Sequence, residues 1–183
     1  MADTKRMIHD AYGLFHLQRE GGGGDPVSGR IYGMAKAVWA GKVMAAVENQ
    51  PKPLGDVLLV CYAPDTVPSE TNFKNIQQCL VGHILARHEV KQHRVLIKLR
   101  ALAEVGVIAY RRQSRGFGPM PDSMIYTMAG LQKQNWHDGN RPWRRWWNEM
   151  GQQMHRWHRE ALTQPERVCR EIQETREPAA SGF

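Results

Sequence analysis

The sequence predicts a mainly α protein: a helical bundle containing a helix-turn-helix, with room for one short β segment near residues 107–111. Three observations predict it. Apolar residues recur at three- and four-residue spacing along most of the chain. Proline and glycine punctuate these stretches where helices would end. Residues 122–141 read as a short helix, a glycine corner and a second helix rich in amide, imidazole and guanidinium groups.

In order along the chain, MADTKRMIHDAYGLFHLQRE reads as a mobile arm or a short amphipathic helix, and GGGGDP at 21–26 as a flexible hinge. The expected layout is therefore an arm over 1–26, a helical body over 27–162, and a C-terminal helix and tail over 163–183. IYGMAKAVWAGKVMAAVENQ sets Ile31, Met34, Ala35, Val38, Trp39 and Val43 on one stripe, ended by Pro51 and Pro53. LGDVLLVCYAPD is nearly all apolar and reads as a buried helix closed by Pro64; a buried strand has the same signature at this length. Ser69, Thr71 or Asn72 suits the cap of the next helix, whose apolar face is Phe73, Ile76, Leu80 and Ile84, with His83 a boundary histidine.

Val95, Leu99 and Leu102 mark a further helix, with Gly106 placed to terminate it and Val107, Ile108 and Tyr110 to form the brief β segment. Asp122 or Ser123 can cap the following short helix, with Met124, Ile125, Met128 and Ala129 on its apolar face. Gly130 supplies the corner, Leu131 plugs it, and Trp136 faces inward. After Pro142 a helix with Trp143, Trp146, Trp147, Met150, Met154 and Trp157 on one side runs to a break at Thr163 and Pro165. Such an aromatic stripe suits a core or an interface better than a base-stacking platform.

The balance of 25 Lys and Arg against 18 Asp and Glu, a formal charge of +7, favours a polyanionic partner without choosing among DNA, RNA and an acidic protein surface. No apolar run approaches the roughly 18 residues of a membrane span, and the start lacks the layout of a secretion signal. Cys61, Cys79 and Cys169 are scattered, so neither a disulfide framework nor a cysteine zinc site is indicated and a reducing cytoplasm is the simplest setting. Phosphate-cradling, dinucleotide, HExxH and nucleophile-elbow motifs are absent. Asp56, Asp65 and Glu70 lack the arrangement of a divalent-metal nuclease, and the His155–His158 pair lacks convincing further ligands. No active site, cofactor or metal is expected.

A binding surface is expected instead. Lys133, Gln134, Asn135, His137 and Asn140 carry groups that match base edges, and Arg141, Arg144 and Arg145 suit phosphates. A plain helical hairpin with a solvated basic face would share these features. Lys91, His93, Arg94 and Lys98 form a second possible reading helix, with Arg111, Arg112 and Arg115 on a wing-like loop behind it. The sequence does not decide which of 91–98 and 133–141 reads DNA.

The helix YGMAKAVW followed by an apolar helix ending YAPD, the turn core MAGLQKQNW and the later RPW resemble the small phage late-gene antiterminators of the Q type. The likeness covers about residues 31–162, with Gly130, Trp136, Arg141 and Pro142 as the matching positions. The chain departs from the zinc-bearing branch in lacking paired cysteines, and HDGN is inserted before Arg141. The resemblance implies a transcription regulator of the bacterial cytoplasm and no enzyme. Its partners would be double-stranded DNA near a late promoter, host RNA polymerase paused with its σ factor, and nascent RNA, for which Arg111, Arg112 and Arg115 are the candidates. A conventional phage regulator that never travels with polymerase and a protein-interaction module share the same sequence features.

Overall fold

The computed structural model describes residues 3–19 and 28–176, the side chains of 15–19, 28–35 and 176 excepted. Among these the chain forms α1 (Thr4–Arg19), α2 (Ser28–Glu48), α3 (Leu54–Tyr62), α4 (Glu70–Leu85), α5 (His93–Ser114), α6 (Asp122–Met128), α7 (Lys133–His137) and α8 (Trp143–Arg176), and no strand. The bundle is built along α8, whose 34 residues span about 50 Å. Helices α1 to α5 and α7 all pack against it.

α3 is a helix, as its apolar run allowed. It is buried on almost every side, which is what a helix without a polar face requires. Its one carboxylate, Asp56, is buried and accepts from Asn72 Nδ2 at 2.6 Å and Asn75 Nδ2 at 3.0 Å. Asn72 also closes the start of α4, taking the Ser69 backbone N–H at 2.7 Å while Ser69 Oγ accepts from the Asn72 backbone. Gly55 is required by proximity, because a Cβ there would stand 2.7 Å from the Val47 carbonyl oxygen.

Five expectations are refined or corrected. First, of the two readings of the opening residues the helix is the one formed, and α1 is part of the bundle: Ile8, Ala11 and Tyr12 are buried, and Tyr12 Oη donates to Glu48 Oε1 at 3.1 Å. The hinge expected at 21–26 lies outside the described residues. Second, of the predicted α2 stripe Val43 is buried and Trp39 packs against the core, but Val38 is 61% exposed, and Ala40, Ala46 and Val47 complete the buried face. The part of the predicted stripe at Ile31, Met34 and Ala35 falls among undescribed side chains.

Third, α5 runs straight through Gly106, and residues 107–111 are helical. Leu99, Leu102, Ala103, Val107 and Tyr110 continue one buried face at helical spacing, and burying it outweighs the roughly 1 kcal/mol disadvantage of an interior glycine. The terminating glycine is Gly116 instead, at φ 86°. There the Phe117 N–H reaches the Arg112 carbonyl at 3.2 Å and the Gly116 N–H the Gln113 carbonyl at 3.0 Å.

Fourth, neither Asp122 nor Ser123 caps α6. Pro121 precedes the helix and Asp122 lies in its first turn, where its charge suits the helix dipole. Only Ile125 and Ala129 of the expected apolar face turn inward. The corner itself forms as the sequence suggested. Gly130 adopts φ 64°, its N–H reaches the Thr127 carbonyl at 3.1 Å, and the Leu131 N–H reaches Tyr126 at 2.8 Å. Leu131 and Trp136 are buried beneath it.

Fifth, Pro165 does not break α8. A proline in a helix interior leaves the carbonyl four residues earlier without its donor, and here that carbonyl is Ala161. Gln50 Nε2 donates to the Ala161 oxygen at 2.9 Å, while also holding Ala46 O at 2.9 Å at the end of α2. The orphaned acceptor is thus satisfied from another helix, and Thr163, expected to cap a new helix, donates to Arg159 O at 3.3 Å within the same one. Gln50→Leu, which keeps the bulk and removes the donor, is expected to destabilise the fold by about 1–3 kcal/mol, read as a lowered urea midpoint.

Candidate nucleic-acid interface

The first turns of α8 lie beside the loop that joins α4 to α5, and the contact is built from aromatic and ionic groups. Trp146 is buried and meets Trp143 edge-on at 5.3 Å between ring centroids. The His88 ring leans on Trp146 at 6.0 Å and its Nε2 meets Glu149 Oε2 at 2.8 Å. These contacts fix the loop over residues 86–92 against α8. Between them runs an open groove of about 550 Å³, into which Arg87 and Lys91 project from one side and Arg141 and Arg145 from the other. Among the described residues Glu89 is the single carboxylate on its lining, so four cations face one anion.

Arg87 Nη1 packs against the His83 ring, 2.6 Å from Nδ1, and the ionic partners of the other three cations are weak. Lys91 Nζ lies 3.0 Å from Glu89, Arg141 Nε 3.7 Å from Asp138 and Arg145 Nε 3.8 Å from Glu149, all with well-exposed cationic side chains. Exposed pairs of this kind contribute about 0–1 kcal/mol each, so a phosphate can displace them. Arg144 is turned toward α6, 3.5 Å from Asp122.

α7 presents less than the sequence promised. Its five residues extend about 7.5 Å, held down by Trp136, which meets Trp147 edge-on at 6.2 Å. Lys133, Gln134, His137 and Asn140 are exposed, but Asn135 is half-buried and its amide donates to Gln132 at 3.5 Å. None of Lys133, Gln134, Asn135 or His137 lines the groove. Arg141 and Arg145 are the predicted residues that join it, and Lys91 is shared with the alternative reading helix. The two basic segments that the sequence set against each other therefore border one groove. Arg87, His88 and Glu149 were missed. Their signal is the cation-rich stretch ARHEVKQHR between two apolar helices, which reads as a plain loop until α8 is placed beside it.

The expected wing does not exist. Arg111 and Arg115 both bind Asp65, and Arg115 also donates to the Ala63 carbonyl at 2.8 Å. Arg115, then Arg111, hold the Asp65 carboxyl below the usual carboxylate range. Both arginines thus fasten the loop after α3 to the end of α5, and Arg111 lies over Phe73, 5.3 Å from the ring centroid. Arg112 lies over Phe117 at 5.2 Å. Glu70 pairs with Lys74 at 2.7 Å, so the three loosely clustered carboxylates each have separate partners.

His155 and His158 meet hydroxyls. His158 Nε2 lies 2.5 Å from Tyr62 Oη and its Nδ1 2.6 Å from Tyr110 Oη, which is also 3.2 Å from His155 Nδ1. A neutral imidazole, one donor and one acceptor, satisfies this chain; a charged ring would offer two donors. Burial first, then Lys5 and His155, push the His158 pKa down to about 4. Between its ordinary value of 6.5 and about 4, the unfolded chain takes up a proton here that the folded chain refuses. The neutral site's stability is complete above that window and is lost as pH falls through it. The urea midpoint is expected to drop more between pH 7 and 4.5 in the parent than in His158→Gln, with the two compared in one buffer series.

Among the described residues no group of three or more His, Cys, Asp or Glu could hold a metal ion, and no helix is long and apolar enough to cross a membrane. Cys61, Cys79 and Cys169 are all free. Protein-family models, curated proteins and solved structures offer no match to this chain, so the likeness to Q-type antiterminators stands on its quoted motifs alone.

Proposed function

We propose that the chain is a DNA-binding regulator of transcription, of the Q-type antiterminator class, which grips duplex phosphates in the groove between the α4–α5 loop and the start of α8. The observation that carries this reading is the meeting of Arg87 and Lys91 with Arg141 and Arg145 across that groove, two cationic segments far apart in the chain. Weakly paired guanidiniums on fixed backbone are what non-directional phosphate binding needs. The formal charge of +7 gives long-range attraction to the same partner. Lys133, Gln134 and His137 on α7 are the groups left for reading base edges, so sequence discrimination rests on few side chains. The polymerase-travelling role rests on the motif likeness, as does the bacterial cytoplasm as its setting.

The deciding experiment is a defined transcription reaction with the host polymerase and σ factor, on a template carrying the late promoter and a distant terminator. Read-through that rises with the protein, and only when the promoter-proximal DNA is present, is the expected result. Duplex binding with unchanged termination would instead identify a conventional regulator. Absence of duplex binding at low salt would remove the DNA reading altogether.

A further inference from the structure

We propose that a second surface, between the end of α5 and α6, is a docking groove for an acidic amphipathic helix of a partner protein. Its apolar part is unusual for this molecule. Six large hydrophobic side chains among the described residues are strongly exposed, and Phe117, Met124 and Met128 account for half of them, at 57%, 46% and 46%. Met124 and Met128 are four residues apart on α6, so they share a face, turned about 100° from the buried Ile125. Together with Ile108 and Met120 they border a groove of about 290 Å³. Unbranched thioether side chains adjust to the shape of an incoming apolar residue, which is why methionine recurs on surfaces that accept helices.

The charge on the rim selects the partner. Arg111, Arg112 and Arg115 run along one edge, and among the described residues no carboxylate lines the groove. Arg111 and Arg115 are already engaged with Asp65, so Arg112 is the guanidinium of this edge left for a partner's carboxylate. Arg112 has only the Phe117 ring against it, with no ion pair among the described residues. A helix with apolar residues at i, i+3 and i+4 and carboxylates along one flank would bury the methionines and meet the Arg112 guanidinium at once. A basic helix would be repelled, and a nucleic acid would gain nothing from the thioethers. This groove shares no lining residue with the one proposed for DNA.

The test uses the full chain with its methionine methyl groups labelled for NMR. One probe is a synthetic amphipathic peptide with leucines on one face and glutamates beside them; the other is the same peptide with lysine for glutamate. The acidic peptide is expected to shift the methyl signals of Met120, Met124 and Met128 and to leave those of the buried Met150 and Met154 in place. Arg112→Glu, a change at an exposed guanidinium, is expected to weaken binding about tenfold, and Met128→Glu to do at least as much. The proposal is overturned if none of the three signals moves, if the lysine peptide moves them equally, or if both substitutions leave the affinity unchanged. It is overturned too if Met128→Glu breaks up a dimer that binds no peptide, which would assign the face to a second copy of the chain.

Discussion

Arg141→Glu combined with Arg145→Glu is expected to abolish most duplex binding and to lower the slope of log affinity against log salt by about 2. Each cation that neutralises a phosphate releases close to one condensed counterion, about 0.9 for duplex DNA. Both guanidiniums reach the groove across exposed, long ion pairs to Asp138 and Glu149, so little internal stabilisation is lost with them. The comparison is Arg159→Glu with Arg170→Glu, two exposed cations farther along α8, which changes the net charge equally. Fluorescence anisotropy of a labelled duplex across a salt series separates the outcomes. Equal losses in the two double variants would mean that net charge alone attracts DNA and that the groove has no privileged role.

Trp136→Ala is expected to destabilise the protein by about 3–5 kcal/mol, a fall in melting temperature on the order of 10 °C for a chain of this size. Trp136 is 1% exposed and is the side chain through which α7 grips Trp147 of α8. Its indole N–H is buried with no acceptor among the described residues, so the ring contributes through packing and its polar atom is a burden. Trp136→Phe therefore separates the two effects: it retains much of the apolar contact and is expected to cost well under half as much. An unchanged melting temperature in Trp136→Ala would show that α6 and α7 open independently of the bundle.

The features legible in the sequence are those decided within a few residues. Gly130, Leu131 and Trp136 follow from the local geometry of a helix ending on a left-handed residue, and Ser69 follows from capping chemistry. Gly106 and Pro165 misled for the opposite reason. Both carry strong local signals for a helix end, and both are overruled by distant groups: the buried face that continues past Gly106, and the Gln50 amide that meets the Ala161 carbonyl 111 residues away in sequence. The candidate interface divides in the same way. Arg141 and Arg145 were visible as a dense cationic run, whereas Arg87 and His88 acquire meaning only when Trp146 and Glu149 stand next to them. Arg111 and Arg115 looked available because nothing in their own neighbourhood reveals Asp65.

The docking of α1 along α8 brings Met7 beside Gln173, with the amide nitrogen 3.9 Å from the sulfur. α1 thus meets α8 near the last turns of that helix, whereas Arg145 lies in its first turn, about 40 Å away along the axis of α8. Neither of the exposed Arg6 and Glu174 lines the cationic groove, so a fluorophore, tether or bead attached at either leaves it clear and single-molecule work can hold the protein by either handle.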